Sequence, residues 1–344
     1  MTEPDAPLLE VRGLTKHFRT QRSIVQAVND VSFTLDEGES LGLVGESGCG
    51  KSTTGQLLAR LLDPTSGQVF YRGRDITRAS RRQLVPVRSE IQMIFQDPYS
   101  SLNPRQTIRQ IISMPMEVNG VLSPRGRRER VDELLELVGL RAEHANRFPF
   151  EFSGGQRQRV GIARALAVDP KLIIADEPVS ALDVSVQAQV VNLMRRLRRE
   201  LGIAFVFIAH DLAVVRNFSQ RIAVMYLGSI VEIADRDSLY TDPRHPYTHA
   251  LLSAVPDTDP NAAERRRGGR IRLTGDVPSP ADPPSGCRFR TRCWKAQDRC
   301  ATEVPKLTTS AVGHLTACHF PHVAPLDAGP TVEFRDGRDS PIGR

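Results

Sequence analysis

No run of about 18 consecutive apolar residues occurs in the chain, which excludes an ordinary membrane-spanning helix. The first residues, Met1 to Pro7, are acidic and contain proline but no apolar core. A secretory leader is therefore not expected, and the chain is expected to stay in the cytosol, free to dock on a membrane protein. Heptad repeats long enough for a coiled-coil insert are missing. Aromatic residues are missing from the basic clusters Arg125-Gly126-Arg127-Arg128-Glu129-Arg130 and Arg265-Arg266-Arg267, so neither offers a stacking platform for single-stranded nucleic acid. The net charge of +6 and pI near 9.3 permit contact with nucleic acid or anionic lipid. The arginines are nevertheless spread along the chain beside Glu and Asp, the pattern of solvated helices, and no nucleic-acid partner is expected.

What is present points to phosphate chemistry. Gly45-Glu46-Ser47-Gly48-Cys49-Gly50-Lys51-Ser52-Thr53 fits G-x-x-x-x-G-K-[ST], and Leu41, Leu43 and Val44 lead into it as a strand. Glycines let the backbone turn several N–H groups inward toward a polyphosphate, and the helix that follows adds the positive end of its dipole. Lys51 is placed to reach the β- and γ-phosphates and the Ser52 hydroxyl to ligate Mg²⁺. Later, Lys171-Leu172-Ile173-Ile174-Ala175-Asp176-Glu177 reads as a buried strand ending in two carboxylates, Asp176 suited to Mg²⁺ and Glu177 to polarising a water. In Phe152-Ser153-Gly154-Gly155-Gln156-Arg157-Gln158-Arg159, two glycines and a helix start again place N–H groups where an anion can sit.

With 344 residues the chain has room for one large core and an appended region. Strands are expected over Leu8 to Phe18, Ala27 to Leu35 and Gly67 to Tyr71, forming an antiparallel region around the nucleotide site. From Tyr99 to Val168 the pattern is helical, with Val131, Leu134, Leu135 and Val138 at helical spacing before Gly139. Leu172 to Ala175 and Ala204 to Ala209 read as buried parallel strands, and Val186, Val190, Leu193, Leu197 and Leu201 between them as one core-facing helical stripe. The plan is α/β and doubly wound. The expected units are a tail at 1–7, a nucleotide-binding unit at 8–255 whose helical part spans about 99–168, a cysteine-containing region at 256–322, and a loose tail at 323–344.

The order phosphate loop, Ile91-Gln92-Met93-Ile94-Phe95-Gln96, Phe152-Ser153-Gly154-Gly155-Gln156, Asp176-Glu177, Ser180-Ala181-Leu182-Asp183 and Ile208-Ala209-His210-Asp211 resembles the ATP-binding subunits of ATP-binding cassette (ABC) transporters, from about Leu8 to Leu252. The resemblance implies an ABC-type ATPase with an antiparallel β subdomain and an α-helical signature subdomain, using ATP and Mg²⁺. It implies that Phe18 stacks on adenine, that Gln96 couples the Mg²⁺ and water site to a membrane subunit, that His210 contacts the γ-phosphate, and that Asp183 faces the other ATPase subunit. It also implies that Ser153, Gly154, Gly155 and Gln156 close on nucleotide held by that partner. Phe152 replaces the commoner Leu. Such a subunit lies on the cytoplasmic side of the cell membrane, bound to two permease subunits and served by an extracytoplasmic solute-binding protein.

Phe95-Gln96-Asp97-Pro98-Tyr99-Ser100-Ser101-Leu102-Asn103-Pro104-Arg105 and His245-Pro246-Tyr247-Thr248 resemble the oligopeptide/dipeptide importer branch, in the form of its second ATPase, which implies a heterodimer with a paralogous ATPase. The rival function is a soluble ABC ATPase acting on the ribosome or DNA. Four of the five cysteines, Cys287, Cys293, Cys300 and Cys318, crowd the C-terminal region, while Cys49 fills the phosphate loop. A cytosolic chain does not rely on disulfides, so the four argue for a metal, tetrahedral zinc or an iron–sulfur cluster. Similar cysteine sets in the importer branch imply a [4Fe–4S] cluster.

Overall fold

A computed structural model describes residues 6–21, 23–97, 99, 101–254 and 271–321. Outside the described residues lie most of the expected N-terminal tail, the expected C-terminal tail, Pro98, Ser100 and the stretch 255–270 with Arg265-Arg266-Arg267.

Four strands, β1 (Leu9–Arg19), β2 (Ile24–Leu35), β4 (Ser66–Tyr71) and β5 (Arg74–Asp75), form an antiparallel sheet in the order β2-β1-β4-β5. Alternation decides which face is buried: Val31, Phe33 and Leu35 point inward while Ser32 and Thr34 are exposed. A second sheet holds β3 (Ser40–Val44), β6 (Ile91–Ile94), β7 (Leu172–Asp176), β8 (Ala204–Ala209), β9 (Arg221–Tyr226), β10 (Ser229–Asp235), β11 (Thr308–Ala311) and β12 (His314–Thr316). Its order is β11-β12-β10-β9-β3-β8-β7-β6. The five strands from β9 to β6 are parallel, and β10, β11 and β12 extend the sheet antiparallel.

The parallel strands read as unbroken apolar runs because both faces are covered. Leu172, Ile174, Val206, Ile208, Ala223 and Met225 join the core shared with the antiparallel sheet. Their neighbours Ile173, Ala175, Phe205, Phe207, Ile222 and Val224 join the other core, with the helices. Those helices are α3 (Ile108–Val118), α4 (Pro124–Leu137), α5 (Gly154–Leu166), α6 (Val184–Leu201), α7 (Leu212–Phe218), α8 (Arg236–Thr241) and α9 (Pro246–Ser253), whereas α1 (Lys51–Leu58) and α2 (Arg81–Glu90) pack Leu57, Leu58, Leu84 and Val87 into the first core, and α10 (Asp298–Thr302) lies in the C-terminal region. None among the described residues is long and apolar enough to cross a membrane.

Two features depart from the sequence expectations. Leu201 ends the α6 stripe 47% exposed, because Gly202 adopts a left-handed backbone there (φ 64°) and the helix stops. The cysteine-containing region does not stand apart from the nucleotide-binding unit: β12 pairs with β10 (Glu232 opposite Thr316, Ile233 opposite Leu315), and Phe289 is buried against Tyr226, Tyr247 and His245 at ring-centroid distances of 5.1, 5.4 and 5.6 Å. A segment with few large apolar side chains gains more by sharing a core than by building one.

His245 joins this region to the sheet. Its Nδ1 accepts the Tyr247 N–H at 3.1 Å, capping α9, and its own N–H donates to Glu232 Oε2 at 3.1 Å. Burial pushes its pKa down to about 3, so the ring stays neutral in the fold. Below the unfolded value near 6.5 only the unfolded chain takes up the proton, so stability falls as pH drops from about 6.5 toward about 3. Between pH 7 and 5.5 this group alone should remove about 1 kcal/mol. Urea titrations at the two pH values should show that loss in the wild type and a smaller one in His245→Asn; equal losses would contradict the assignment.

Candidate nucleotide site

β3 delivers the chain to Gly45 and α1 begins at Lys51. Gly50, the residue before the helix, has φ 104°, and no side chain caps the first turn. A β-carbon at Gly50 would lie 2.1 Å from the Ala27 carbonyl oxygen, and one at Gly45 would lie 2.1 Å from that of Met225. The loop is thus wedged between β2 and β9 too tightly for any side chain. Gly228 N–H donates to the Cys49 carbonyl at 2.9 Å, pinning the loop to the β9–β10 turn. Cys49 is buried and burial raises its pKa, although Lys51 opposes this. Lys51 Nζ donates to the carbonyls of Gly45 (2.8 Å) and Glu46 (3.1 Å), while Ser47 and Gly48 form the exposed crest.

Because β6, β7, β8 and β3 are parallel, their carboxyl ends open on one edge of the sheet: Ile94 aligns with Ala175, Asp176 with Ile208, and Val44 with Ala209. Ser52 Oγ donates to Asp176 Oδ1 at 2.9 Å. Asp176 is buried, and burial raises its pKa; the Ser52 hydrogen bond opposes that and the neighbouring Glu177 charge adds to it. Glu177 has a left-handed backbone (φ 44°), and its N–H donates to the Ile208 carbonyl at 2.9 Å. Such a conformation costs a non-glycine residue about 1–2 kcal/mol. It carries the carboxylate over the strand ends. There Oε2 accepts from Gln96 Nε2 at 3.0 Å and lies 3.4 Å from His210 Nδ1, and Oε1 is 4.0 Å from Lys51 Nζ. The Glu177 side chain is 12% exposed, His210 53%, and Gln96 is exposed, so the group is open on one side.

The remaining candidate residues lie apart from this group. Ser153 caps α5 and closes a capping box with Gln156 (Gln156 N–H to Ser153 Oγ, 3.4 Å; Ser153 N–H to Gln156 Oε1, 3.0 Å). A β-carbon at Gly155 would meet Val186 Cγ1 at 2.4 Å, so this glycine lets α5 sit against α6. No hydrogen bond among the described residues ties 153–156 to the phosphate loop. Asp183 is exposed at the start of α6 and its carboxylate makes no cap bond. Phe18 is 38% exposed on β1, with Lys16 Nζ 5.1 Å from its ring centroid.

Comparison with known proteins places this geometry. Residues 28–180 match the family model described as ABC transporter, and residues 231–300 match that described as oligopeptide/dipeptide transporter, C-terminal region. The putative oligopeptide transport ATP-binding protein YkfD of Bacillus subtilis is 54% identical over 316 residues, 91% of this chain and 95% of that protein. The chain belongs to the ABC transporter family. The oligopeptide transport ATP-binding protein AppF of Bacillus subtilis is 52% identical over 321 residues, 91% of this chain and 97% of that one. Among solved structures, the dimeric post-hydrolysis state of the ATP-binding cassette MJ0796 bound to ADP and Pi superposes with a TM-score of 0.61 at 32% identity, over 66% of this chain and 98% of that one. The chain is therefore an ABC ATPase, for which ATP and Mg²⁺ are the expected nucleotide and ion.

Two contacts of the phosphate loop had no signal in the sequence. Glu46 of the phosphate loop donates its N–H to Tyr247 Oη at 3.0 Å, and its carboxylate accepts from both terminal nitrogens of Arg292 at 2.7 and 3.1 Å. Tyr247 sat unassigned within its motif, and Arg292 is 246 positions from Glu46. Nearby, Cys287, Cys293, Cys300 and Cys318 line one cavity of about 10 Å³, together with His319, and all four are free thiols. Burial raises Cys293 to about 12 and Cys318 to about 11. Among the described residues no group of three or more His, Cys, Asp or Glu side chains is placed to hold a metal ion.

The wedge around the loop can be tested. Gly50→Ala adds both a left-handed strain and a collision with fixed backbone, and should cost about 2–3 kcal/mol and most of the ATP affinity. Gly48→Ala, also at positive φ (78°) but with nothing within 4 Å of the added carbon, should cost about 1 kcal/mol. Denaturation midpoints and ATP titrations of the two variants would refute the wedge if they coincided.

Proposed function

We propose that this subunit hydrolyses ATP to energise import of peptides, or of a related small solute, through an ABC transporter on the cytoplasmic face of the cell membrane. The observation that carries the chemistry is the placing of the Glu177 carboxylate among Lys51, Gln96 and His210 at the carboxyl edge of the parallel sheet. The names of the relatives and the matched C-terminal region support the peptide substrate, and that match to a transporter disfavours the ribosome or DNA rival.

In this reading the phosphate loop, residues 45–53, cradles the polyphosphate with backbone N–H groups and the uncapped start of α1, and Lys51 exchanges its two loop carbonyls for the β- and γ-phosphates. Ser52, Asp176 and Gln96 are oxygen donors of the kind a hard cation takes, and the buried, charge-disfavoured Asp176 carboxylate gains most from one. Mg²⁺ held there supplies neutralisation of phosphate charge. Glu177 accepts a proton from water directed at the γ-phosphorus, His210 steadies the γ-phosphate, and Phe18 stacks on the adenine. The site is open beside Gln96 and His210, so water is excluded only when a second surface covers it. The corresponding segments of a paralogous ATPase form that surface, just as Ser153 to Gln156 and Asp183 of this chain close on the nucleotide held by the partner, a reading supported by the dimeric form of the MJ0796 cassette. Two permease subunits and an extracytoplasmic solute-binding protein complete the assembly.

Replacing Glu177 by Gln keeps the shape and removes the base. Turnover in the assembled transporter should drop by about a thousandfold while ATP still binds. Wild-type turnover in that variant would refute the role.

The cysteine-lined cavity completes the proposal: Cys287, Cys293, Cys300 and Cys318 hold a [4Fe–4S] cluster. The support is four soft donors lining one space. The space, about that of one water molecule, requires the thiols to part on loading. Protein purified without oxygen should be brown with broad visible absorbance; a colourless sample with stoichiometric zinc, or with four titratable thiols, would refute the cluster.

A further inference from the structure

The phosphate loop carries one acidic side chain, Glu46, and the C-terminal region covers it. The Arg292 guanidinium meets the Glu46 carboxylate through two parallel hydrogen bonds, with only 8% of the Arg292 and 27% of the Glu46 side chain exposed. Arg292 is itself held. Its N–H donates to the Phe289 carbonyl at 3.0 Å, Cys287 N–H donates to the Cys300 carbonyl at 2.8 Å, and the guanidinium lies 6.0 Å from the Tyr226 ring centroid. Tyr247, fully buried beside Phe289, accepts the Glu46 N–H. One side of the nucleotide loop therefore leans on residues from far along the chain.

A loop that receives a polyphosphate is a poor place for a free carboxylate. Like charge opposes the ligand, and partial burial weakens the screening that would hide it. Bidentate pairing with a guanidinium cancels that charge and fixes its direction. Resting on the nucleotide-site reading above, we propose that Arg292 is a positioning residue of the phosphate loop: it neutralises Glu46 and holds its carboxylate on the C-terminal side, so that the C-terminal region sets the affinity for nucleotide.

The test is Mg·ATP binding to the full-length chain by equilibrium dialysis, with far-UV circular dichroism and melting curves confirming that each variant folds. Arg292→Gln should raise Kd about tenfold, the scale of one uncompensated charge at an effective dielectric of about 20. Arg292→Lys, which keeps the charge and loses the fork, should recover part of that loss. The double variant Glu46→Gln/Arg292→Gln should return to within about threefold of wild type, a rescue that a purely structural role for Arg292 does not give. Glu46→Gln alone should bind at least as tightly as wild type, and this measurement stands even where Arg292→Gln fails to fold. Wild-type affinity in folded Arg292→Gln, no rescue in the double variant, or weaker binding in Glu46→Gln would each overturn the proposal. Failure of the wild-type chain to bind Mg·ATP would instead bring down the nucleotide-site reading.

Discussion

The carboxylate of Glu177 is held where the ends of four parallel strands meet, and much of the structure serves to keep it there. β7 carries it to the edge of the sheet, a left-handed backbone turns it across that edge, and its N–H is tied to the end of β8. The three groups around the carboxylate come from three different segments: Lys51 from the start of α1, Gln96 from beyond β6, and His210 from beyond β8. None of these is a neighbour in sequence. Only the register of the parallel strands, fixed by side chains buried on both faces, brings them within a few ångström. Strain at Glu177 is thus supported by two hydrophobic cores rather than by the site itself.

The same geometry leaves the group open on one side. In the proposed reading Lys51 and the start of α1 meet the polyphosphate, while Gln96 and His210 face solvent. Charge stabilisation in water is weak, and a water-filled site offers little discrimination between an attacking water and its neighbours. In the proposed function, a second surface that brings further N–H donors and excludes bulk water supplies what is missing. In the function proposed above, the start of α5 is such a surface for another site, with Ser153 and Gln156 held by their capping box.

Much of this was legible in the sequence where chemistry demands a residue type at a fixed spacing. Gly45 to Thr53 and Asp176-Glu177 name themselves because phosphate and metal binding admit few substitutes, whereas His210 was legible only through the family resemblance. The apolar runs of β7 and β8 were equally plain. The strands β9 and β10 were passed over, although Leu227 and Gly228, both at positive φ (44° and 85°), make the two-residue turn of a hairpin between them. The glycines at 154 and 155 suggested an anion site, yet Gly155 is small because Val186 presses on it, a contact between α5 and α6 that no local pattern encodes. The merging of the cysteine region with the main sheet through β12 and β10, and the reach of Arg292 to Glu46 across 246 positions, depend on tertiary packing that no local window along the chain contains.

The central claim is that the group around Glu177 is half of a working site. Its most direct test is ATP turnover per chain, measured for the isolated monomer at saturating Mg·ATP and compared with the assembled transporter under the same conditions. The account predicts a monomer that binds nucleotide and barely turns it over. A monomer, shown by light scattering to remain one during the assay, that hydrolyses ATP at the assembled rate would contradict it.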